Sequence, residues 1–302
     1  MPLDSTTFNK YLEAGKIAAE VREDIRRHVE EGMSVLEICN YVESETSSKG
    51  GKPAFPCNVS INDVAAHYTA RPQDDLVIPK DSIVKIDLGV HVDGFIADTA
   101  VTVSFNPEWD ILVETAEEAL ETAVSILRAD LSVSSFGAKV ENTIKLRNLK
   151  PISNLTGHLV GRYTIHAGKS LPNVYSFSVA KIKEGEVYAT EPFVTTSDGG
   201  GNVRSGSQGN IFRFNKPKKL TNQKARKLLD YVQANFRALP FTERWLEGSM
   251  PREDYRQAFQ ELLSSKAVVA YPVFLEVKGK PVAQAEHTVI IKREGCVVTT
   301  RC

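Results

Sequence analysis

Apolar and polar residues change their repeat several times along the chain, and each change marks an element. Phe8, Leu12, Ile17, Val21, Ile25 and Val29 recur at helical spacing and predict an amphipathic helix from about Ser5 to Glu31, with Gly32 as its stop. Ser34-Val-Leu-Glu37 has the form of a capping box and opens a shorter helix through Val35, Leu36, Ile38 and Val42, before a polar loop at Ser47–Gly51. The helical repeat returns from Pro107 to Asp130 through Leu112, Val113, Leu120, Val124 and Leu127, and another short helix begins near Ser132. The stretch LSVSSFGAKVE at 131–141 echoes MSVLEICNYVE at 33–43, an offset of 98. Each follows a long helix. The arrangement predicts two similar helix–helix–sheet halves with a site between them.

Between the halves the repeat shortens to two. Val84, Ile86, Leu88, Val90 and Val92 alternate with Lys85, Asp87, Gly89 and His91, the pattern of a strand with one buried face. Asp93-Gly94 favours a two-residue type I′ turn, and Phe95–Val103 is the return strand. Such a turn fixes the register so that Val92 meets Phe95. Asp87 then opposes Ala100 and Gly89 opposes Asp98. The two acids become diagonal neighbours on one side, about 7–8 Å apart at the backbone. Buried together, two carboxylates repel and lose hydration, and a cation between them removes that cost. Oxygen donors on a rigid sheet suit a hard or borderline divalent metal. Asp93 reads as a turn residue only.

Other segments supply further polar groups. Pro53-Ala-Phe-Pro56 leads into Asn58–Thr69, where His67 reads first as a hydrogen-bonded core residue and second as a catalyst. Asn154-Leu-Thr-Gly-His158 and Tyr163-Thr-Ile-His166-Ala-Gly168 carry two more histidines. Glu186–Thr195 and Val282–Ile291 read as strands with Glu191 and Glu286 in their middles. A charged Glu among apolar strand residues is costly unless paired or metal-bound. With the two Asp and His158, they make a ligand set for two metals.

Residues 199–271 lie between the two glutamates. Helices started by Thr221, around Phe241–Leu246 and from Pro251, then a strand-like Ala267–Val277, predict a winged-helix-like subdomain inserted into a domain of residues 1–198 and 272–302. Its basic residues Arg204, Arg213, Lys216, Lys218, Lys219, Lys224, Arg226 and Lys227 read as a solvated face, with RNA or ribosome contact as a minor alternative.

Composition adds bounds. The 302 residues are 42% hydrophobic and 25% charged, enough for one large core or two modest domains. A net charge of −1 gives no global attraction to nucleic acid or membrane. Cys39, Cys57, Cys296 and Cys302 show no C-x-x-C spacing and suggest neither a zinc knuckle nor a disulfide framework. The polar N-terminus lacks an apolar h-region and no run is long enough to span a bilayer, so a cytoplasmic protein is expected.

The contexts IDLGVHVDGFIADTA, NLTGHLVG, YATEPF and QAEHT, carrying Asp87, Asp98, His158, Glu191 and Glu286, resemble the methionine aminopeptidases. His67 in AAHYT and His166 in IHAG fit as well. The resemblance covers nearly the whole chain; the insert is similar to that of type 2 members and the compact N-terminus to archaeal ones. It implies the α/β pseudo-two-fold pita-bread fold and two divalent ions, cobalt, manganese, iron or zinc. It puts Asp87 on one ion, His158 and Glu191 on the other, and Asp98 and Glu286 on both. It further implies that Glu191 moves the proton of the attacking water, that His67 and His166 steady the reacting amide, and that Phe55, Leu155, Ile165 and Tyr271 receive the methionine side chain. The implied partner is the N-terminal methionine of nascent polypeptides, with transient ribosome contact, no membrane and no sequence-specific nucleic acid, and a monomer as the working form. An X-Pro aminopeptidase or prolidase of the same fold is the alternative enzyme; such relatives usually carry an N-terminal domain without counterpart here. A non-catalytic pita-bread protein that binds nucleic acid or protein is the other alternative, and such relatives typically lack ligands that are all present here.

Overall fold

A computed structural model describes residues 2–302. α1 (Ser5–His28) starts on Asp4, whose carboxylate accepts from the Thr7 N–H at 2.9 Å, and it buries Ala14, Ile17, Ala18, Val21 and Ile25. It stops three residues short of Glu31, because Val29 turns to extended backbone and Gly32 takes φ +83° in the turn beyond. α2 (Val35–Ser48) has Ser34 as its N-cap, accepting from the Glu37 N–H at 3.4 Å. It runs through Ser47, expected in a loop, because the hydroxyls of Thr46, Ser47 and Ser48 bond back to the carbonyls of the preceding turn.

β1 (Lys52–Ile61), β2 (Val64–Ala66), β3 (Ile83–Val92) and β4 (Phe95–Ser104) follow. Pro53 and Pro56 lie inside β1 rather than before it. Its pairing with β3 slips between Pro53 and Phe55 and again before Asn58, irregularities that accommodate residues unable to donate to a ladder. β3 and β4 pair along their whole length with Val92 opposite Phe95, Asp87 opposite Ala100 and Gly89 opposite Asp98. Asp93 at φ +53° and Gly94 at φ +87° make the turn. One buried face was expected on β3, but both are buried. Val84, Ile86, Leu88 and Val90 face the core under α1 and α2. On the other side Lys85 caps the Asn62 carbonyl at 2.9 Å, and His91 accepts the Gly94 N–H at 3.1 Å and packs on Tyr163.

The second half repeats the first. After a 3-10 turn at Pro107–Trp109 come α3 (Asp110–Ile126), which ends before Asp130, and α4 (Val133–Leu146). α2 and α4 are both 14 residues long, and their N-caps Ser34 and Ser132 are 98 positions apart. Each N-cap makes one isolated bridge, to Val77 and to Lys181. Two cores reflect this: α1 and α2 pack on β1, β3 and β4, while α3 and α4 pack on residues such as Leu171, Tyr188, Val194 and Val289.

The segments 186–195 and 282–291 are each two strands, not one. Val187–Thr190 pairs with His287–Ile291, whereas Phe193–Thr195 pairs with Val282–Gln284 in a different sheet. Glu191 and Glu286 stand at the two crossings. Pro192, with no N–H to give a ladder, ends the first strand, and Glu286 instead bridges to Ala100 of the other half.

Val203–Phe214, within the stretch Gly199–Phe214 that reads as a basic loop in the sequence, is instead a strand paired with Val268–Glu276, whose other edge takes β2. Beyond it α5 (Gln223–Phe236) and α6 (Arg252–Ser264) enclose a separate core with Phe212, Phe241, Leu246 and Val268. α5 is capped by Asn222 rather than Thr221. Phe241–Leu246 is a two-residue strand and a 3-10 turn rather than a helix, because Phe241 and Thr242 extend the sheet against Phe212 and Ile211. From that turn Arg244 reaches Glu43 of α2 with two nitrogens, at 2.7 and 2.8 Å, and donates to the Ala70 carbonyl at 3.0 Å. This buried bidentate pair pins the helical part to the first half. Among the described residues no helix is long and apolar enough to cross a membrane.

Candidate active site

The hairpin register brings Asp87 and Asp98 to one side of the sheet, with small residues beside them. A Cβ on Gly89 would come within 2.2 Å of the Phe55 ring, so glycine there is what lets Phe55 pack against the acids' strand. The Ala100–Glu286 bridge sets the second half's acid beside the first half's pair. His158, on the strand Thr156–Leu159, pairs with Ala189, which places it beside the end of the strand that leads to Glu191. Asp98 Oδ2 is then 3.5 Å from His158 Nε2, which is 3.7 Å from Glu191 Oε1. One ligand atom each from Asp98, His158 and Glu286 all lie within 4.8 Å of one another. The Gln284 amide donates to Glu191 Oε2 and Glu286 Oε2, both at 3.4 Å.

The backbones that carry these acids are fastened together. Thr288 Oγ1 accepts the Asp98 N–H at 2.7 Å and donates to the Asp98 carbonyl at 2.8 Å. Thr99 Oγ1 donates to the Glu286 carbonyl at 2.8 Å and itself accepts from the buried Arg22 guanidinium at 2.6 Å. The cluster's spacing is therefore set by hydrogen bonds that do not involve the carboxylates.

Burial dominates the electrostatics. It pushes the carboxyls of Asp98, Glu191 and Glu286 well above the usual range, and the neighbouring carboxylates push further. Burial raises Asp87 to about 7. Burial, then the charge of nearby His166, lowers His158 to about 3, so its imidazole is neutral and keeps a lone pair. Among the described residues, the buried Asp87 Oδ1, Asp98 Oδ1 and His158 Nδ1 have no hydrogen-bond partner. Several dry carboxylates around a neutral imidazole cost several kcal/mol unless a cation compensates them. The donor set is all nitrogen and oxygen, which fits a hard or borderline divalent cation.

The cluster lies in a pocket of about 310 Å³. Phe55, Leu155, Ile165, Tyr271, His67 and His166 all line it. His67 follows β2 at φ +67°; its ring lies 4.7 Å from Phe274 and 5.5 Å from Tyr271, and its buried Nδ1 has no partner. Burial lowers it to about 4. The His166 ring is 4.3 Å from that of His158. Phe193, Phe274 and Gln284 were missed. The two phenylalanines read as ordinary strand residues, but Gln284 had a signal, since it lies two positions before Glu286 in the quoted QAEHT. Asp93 stays outside the cluster, an exposed turn residue 3.3 Å from Lys10 Nζ.

The model of metallopeptidase family M24 matches residues 9–210. The chain belongs to family M24. It is 44% identical over 299 residues to the methionine aminopeptidase of Methanothermobacter thermautotrophicus, a match covering 97% of this chain and 98% of that relative. It is 44% identical over 293 residues to the one from Pyrococcus horikoshii, covering 97% and 99%. The crystal structure of methionine aminopeptidase from Rickettsia prowazekii shares the fold with a TM-score of 0.72 over 100% of this chain and 99% of that one, at 19% identity. The M24 pita-bread fold is thus the fold observed, its two halves being those related by the 98-residue offset. An M24 metallopeptidase uses divalent metal, and the buried Asp98, His158 and Glu286 cluster is where this chain can hold it.

Proposed function

We propose that the pocket takes the N-terminal methionine of polypeptides and removes it when the second residue is small. The observation that carries this reading is the convergence of Asp98, His158 and Glu286, with Glu191 beside them, in a pocket that Phe55, Leu155, Ile165 and Tyr271 also line. The subtype we assign is type 2, archaeal-like. Its support is the segment inserted between Glu191 and Glu286, which we place at 199–271 and which brings Ile211, Pro240 and Tyr271 into the pocket wall.

Asp87 would hold one divalent cation, His158 and Glu191 a second, and Asp98 and Glu286 both; cobalt, manganese, iron and zinc all suit these donors. When bound, the cations supply positive charge that lowers the pKa of water and polarises the methionyl carbonyl. Glu191, 3.7 Å from His158 Nε2 in the pocket, takes the proton of the attacking water as a carboxylate and passes it to the leaving amine. His67 and His166, both held toward the neutral form by burial, each offer a single N–H to the reacting amide. The apolar walls exclude water and select the methionine side chain.

A panel of Met-Ala-Ser, Met-Val, Met-Leu, Met-Lys and Ala-Pro peptides tests the reading. Met-Ala-Ser and Met-Val should be cleaved with kcat/KM about 100-fold above Met-Leu and Met-Lys, because a bulky second side chain meets the pocket walls. Equal values for all four Met peptides would make the protein a broad aminopeptidase, and preference for Ala-Pro an X-Pro enzyme. His67→Ala should lower kcat about 100-fold with bound metal unchanged, the cost of losing one aimed donor. A fumagillin-class epoxide should alkylate His67, and an unchanged kcat or labelling elsewhere would leave His67 as wall alone.

The partner we assign beyond the substrate is the ribosome, contacted transiently by a monomer in the cytoplasm. Its support is the run of exposed cations Arg213, Lys216, Lys218, Lys219, Arg226 and Lys227. Cosedimentation with ribosomes that weakens as salt rises is expected, and none at low salt would remove this contact.

A further inference from the structure

We propose that the segment Val174–Ala180 is a docking edge for extended polypeptide, namely the stretch of substrate chain that follows the methionine in the pocket; the identity of the occupant rests on the aminopeptidase reading above. Both ends of the segment are fastened to residues that line the pocket. At one end the Asn173 amide donates to the carbonyls of Leu155 at 3.0 Å and Glu191 at 2.9 Å. At the other end Lys169, which lines the pocket, donates from Nζ to the Lys181 carbonyl at 3.3 Å.

At the start of the segment the Tyr175 N–H donates to Glu141 Oε2 of α4 at 2.8 Å, and from Ser176 onward the main-chain groups of alternate residues face opposite ways. The carbonyls of Ser176 and Ser178 accept from Ser134 Oγ at 2.7 and 3.0 Å, and the Ser178 N–H donates back to it at 2.8 Å. The inner positions are thus tied to the first turn of α4. The outer positions are Tyr175, Phe177 and Val179, which are 60%, 83% and 89% exposed. Three large apolar side chains within five residues, with no charge between Asn173 and Lys181, are not an ordinary solvated loop.

The backbone supplies a second, independent observation. Among the described residues, the main-chain N–H and C=O of Phe177 and Val179 make no hydrogen bond within the chain. Apolar side chains at every second position beside free main-chain donors and acceptors match recognition by strand addition. An occupant must then present its own free main-chain groups and apolar side chains, as an unfolded polypeptide does along its whole length. The position agrees: both ends of the segment are tied to Leu155, Glu191 and Lys169 of the pocket wall, so the segment stands beside the pocket that takes the methionine.

The test uses a 15-residue unfolded peptide that begins Met-Ala and carries apolar residues at positions 4–8. Its N-acetylated form, whose blocked amine takes catalysis out of the measurement, is titrated by fluorescence anisotropy against the metal-loaded protein and against Phe177→Ser/Val179→Ser. The Kd should rise about tenfold in the double variant, the scale expected for losing two partly covered apolar side chains. With the free amine, the ratio of kcat/KM for the 15-mer to that for Met-Ala-Ser should fall by the same factor, through KM. Equal Kd values for the two proteins would overturn the docking edge, whatever the kinetics. Tight binding of the acetylated peptide, lost in the variant, without cleavage of either free peptide would refute the aminopeptidase reading while leaving the edge in place. A concentration-dependent dimer abolished by the double variant, with no peptide binding, would assign the edge to a second copy of the chain and overturn the proposal.

Discussion

Exhaustive chelation should abolish peptide cleavage by this protein, and added divalent cobalt or manganese should restore it. The expectation follows from the buried Asp98, His158 and Glu286 cluster, where, among the described residues, Asp98 Oδ1 and the neighbouring Asp87 Oδ1 have no hydrogen-bond partner. It also carries a pH dependence whose sign can be worked out. In the metal-free protein Asp87 has a pKa of about 7, against 3.8 for an ordinary aspartate. Between those values the folded state binds a proton that the unfolded state releases, so metal-free stability falls as pH rises toward 7. Metal reverses the trend, because its ligands must be deprotonated and binding weakens in acid. The gap in Tm between loaded and metal-free protein should therefore be wider at pH 8 than at pH 5.5. Activity that survives chelation, with metal content measured as nil, would remove the metallopeptidase mechanism from this chain.

Asp98→Asn should be the most damaging single change in the hairpin, lowering kcat/KM by about 1,000-fold, since several kcal/mol of charge stabilisation go with the metal. Asp98 is 4% exposed and touches His158, and its backbone is bonded at both N–H and C=O to Thr288. The asparagine therefore keeps its place while withdrawing the negative charge, and bound metal should fall with activity. Asp87→Asn should weaken one metal more than the other. Asp93→Asn should change neither, because Asn-Gly suits the same turn and the Asp93 side chain points to solvent. Metal stoichiometry and kcat/KM for the three variants in one buffer decide the matter. Loss of metal in Asp93→Asn with retention in Asp98→Asn would mean that the opposite face of the hairpin builds the site.

The hairpin was legible because everything that shapes it is local. A two-residue turn needs φ > 0 at both positions, and Asp93-Gly94 provides it. Once the turn is set, the period of two carries the register back from Val92 to Asp87. The halves were legible for a similar reason: helical stripes following a serine recur at the same offset, and each stripe acts within one helix. The glutamates were half legible. Their cost among apolar neighbours marked Glu191 and Glu286 as ligands, but the pattern read through them as single strands. Whether a strand stays in one sheet or crosses to another depends on the partner on its edge, and those partners lie in the other half of the chain.

What the chain determined by itself is therefore the long helices of the two halves, the Ser34 cap and the side the hairpin acids face, all consequences of hydrogen bonds and steric limits within about twenty residues. Only the tertiary structure decided which elements meet. It put Ala100 against Glu286, Phe274 on His67, Gln284 between two glutamates, and Arg244 on Glu43. It also buried the second face of β3, turning Lys85 and His91 into interior residues. These contacts join segments far apart in sequence. Their free energy comes from removing apolar surface and pairing polar groups between elements, which no local period records.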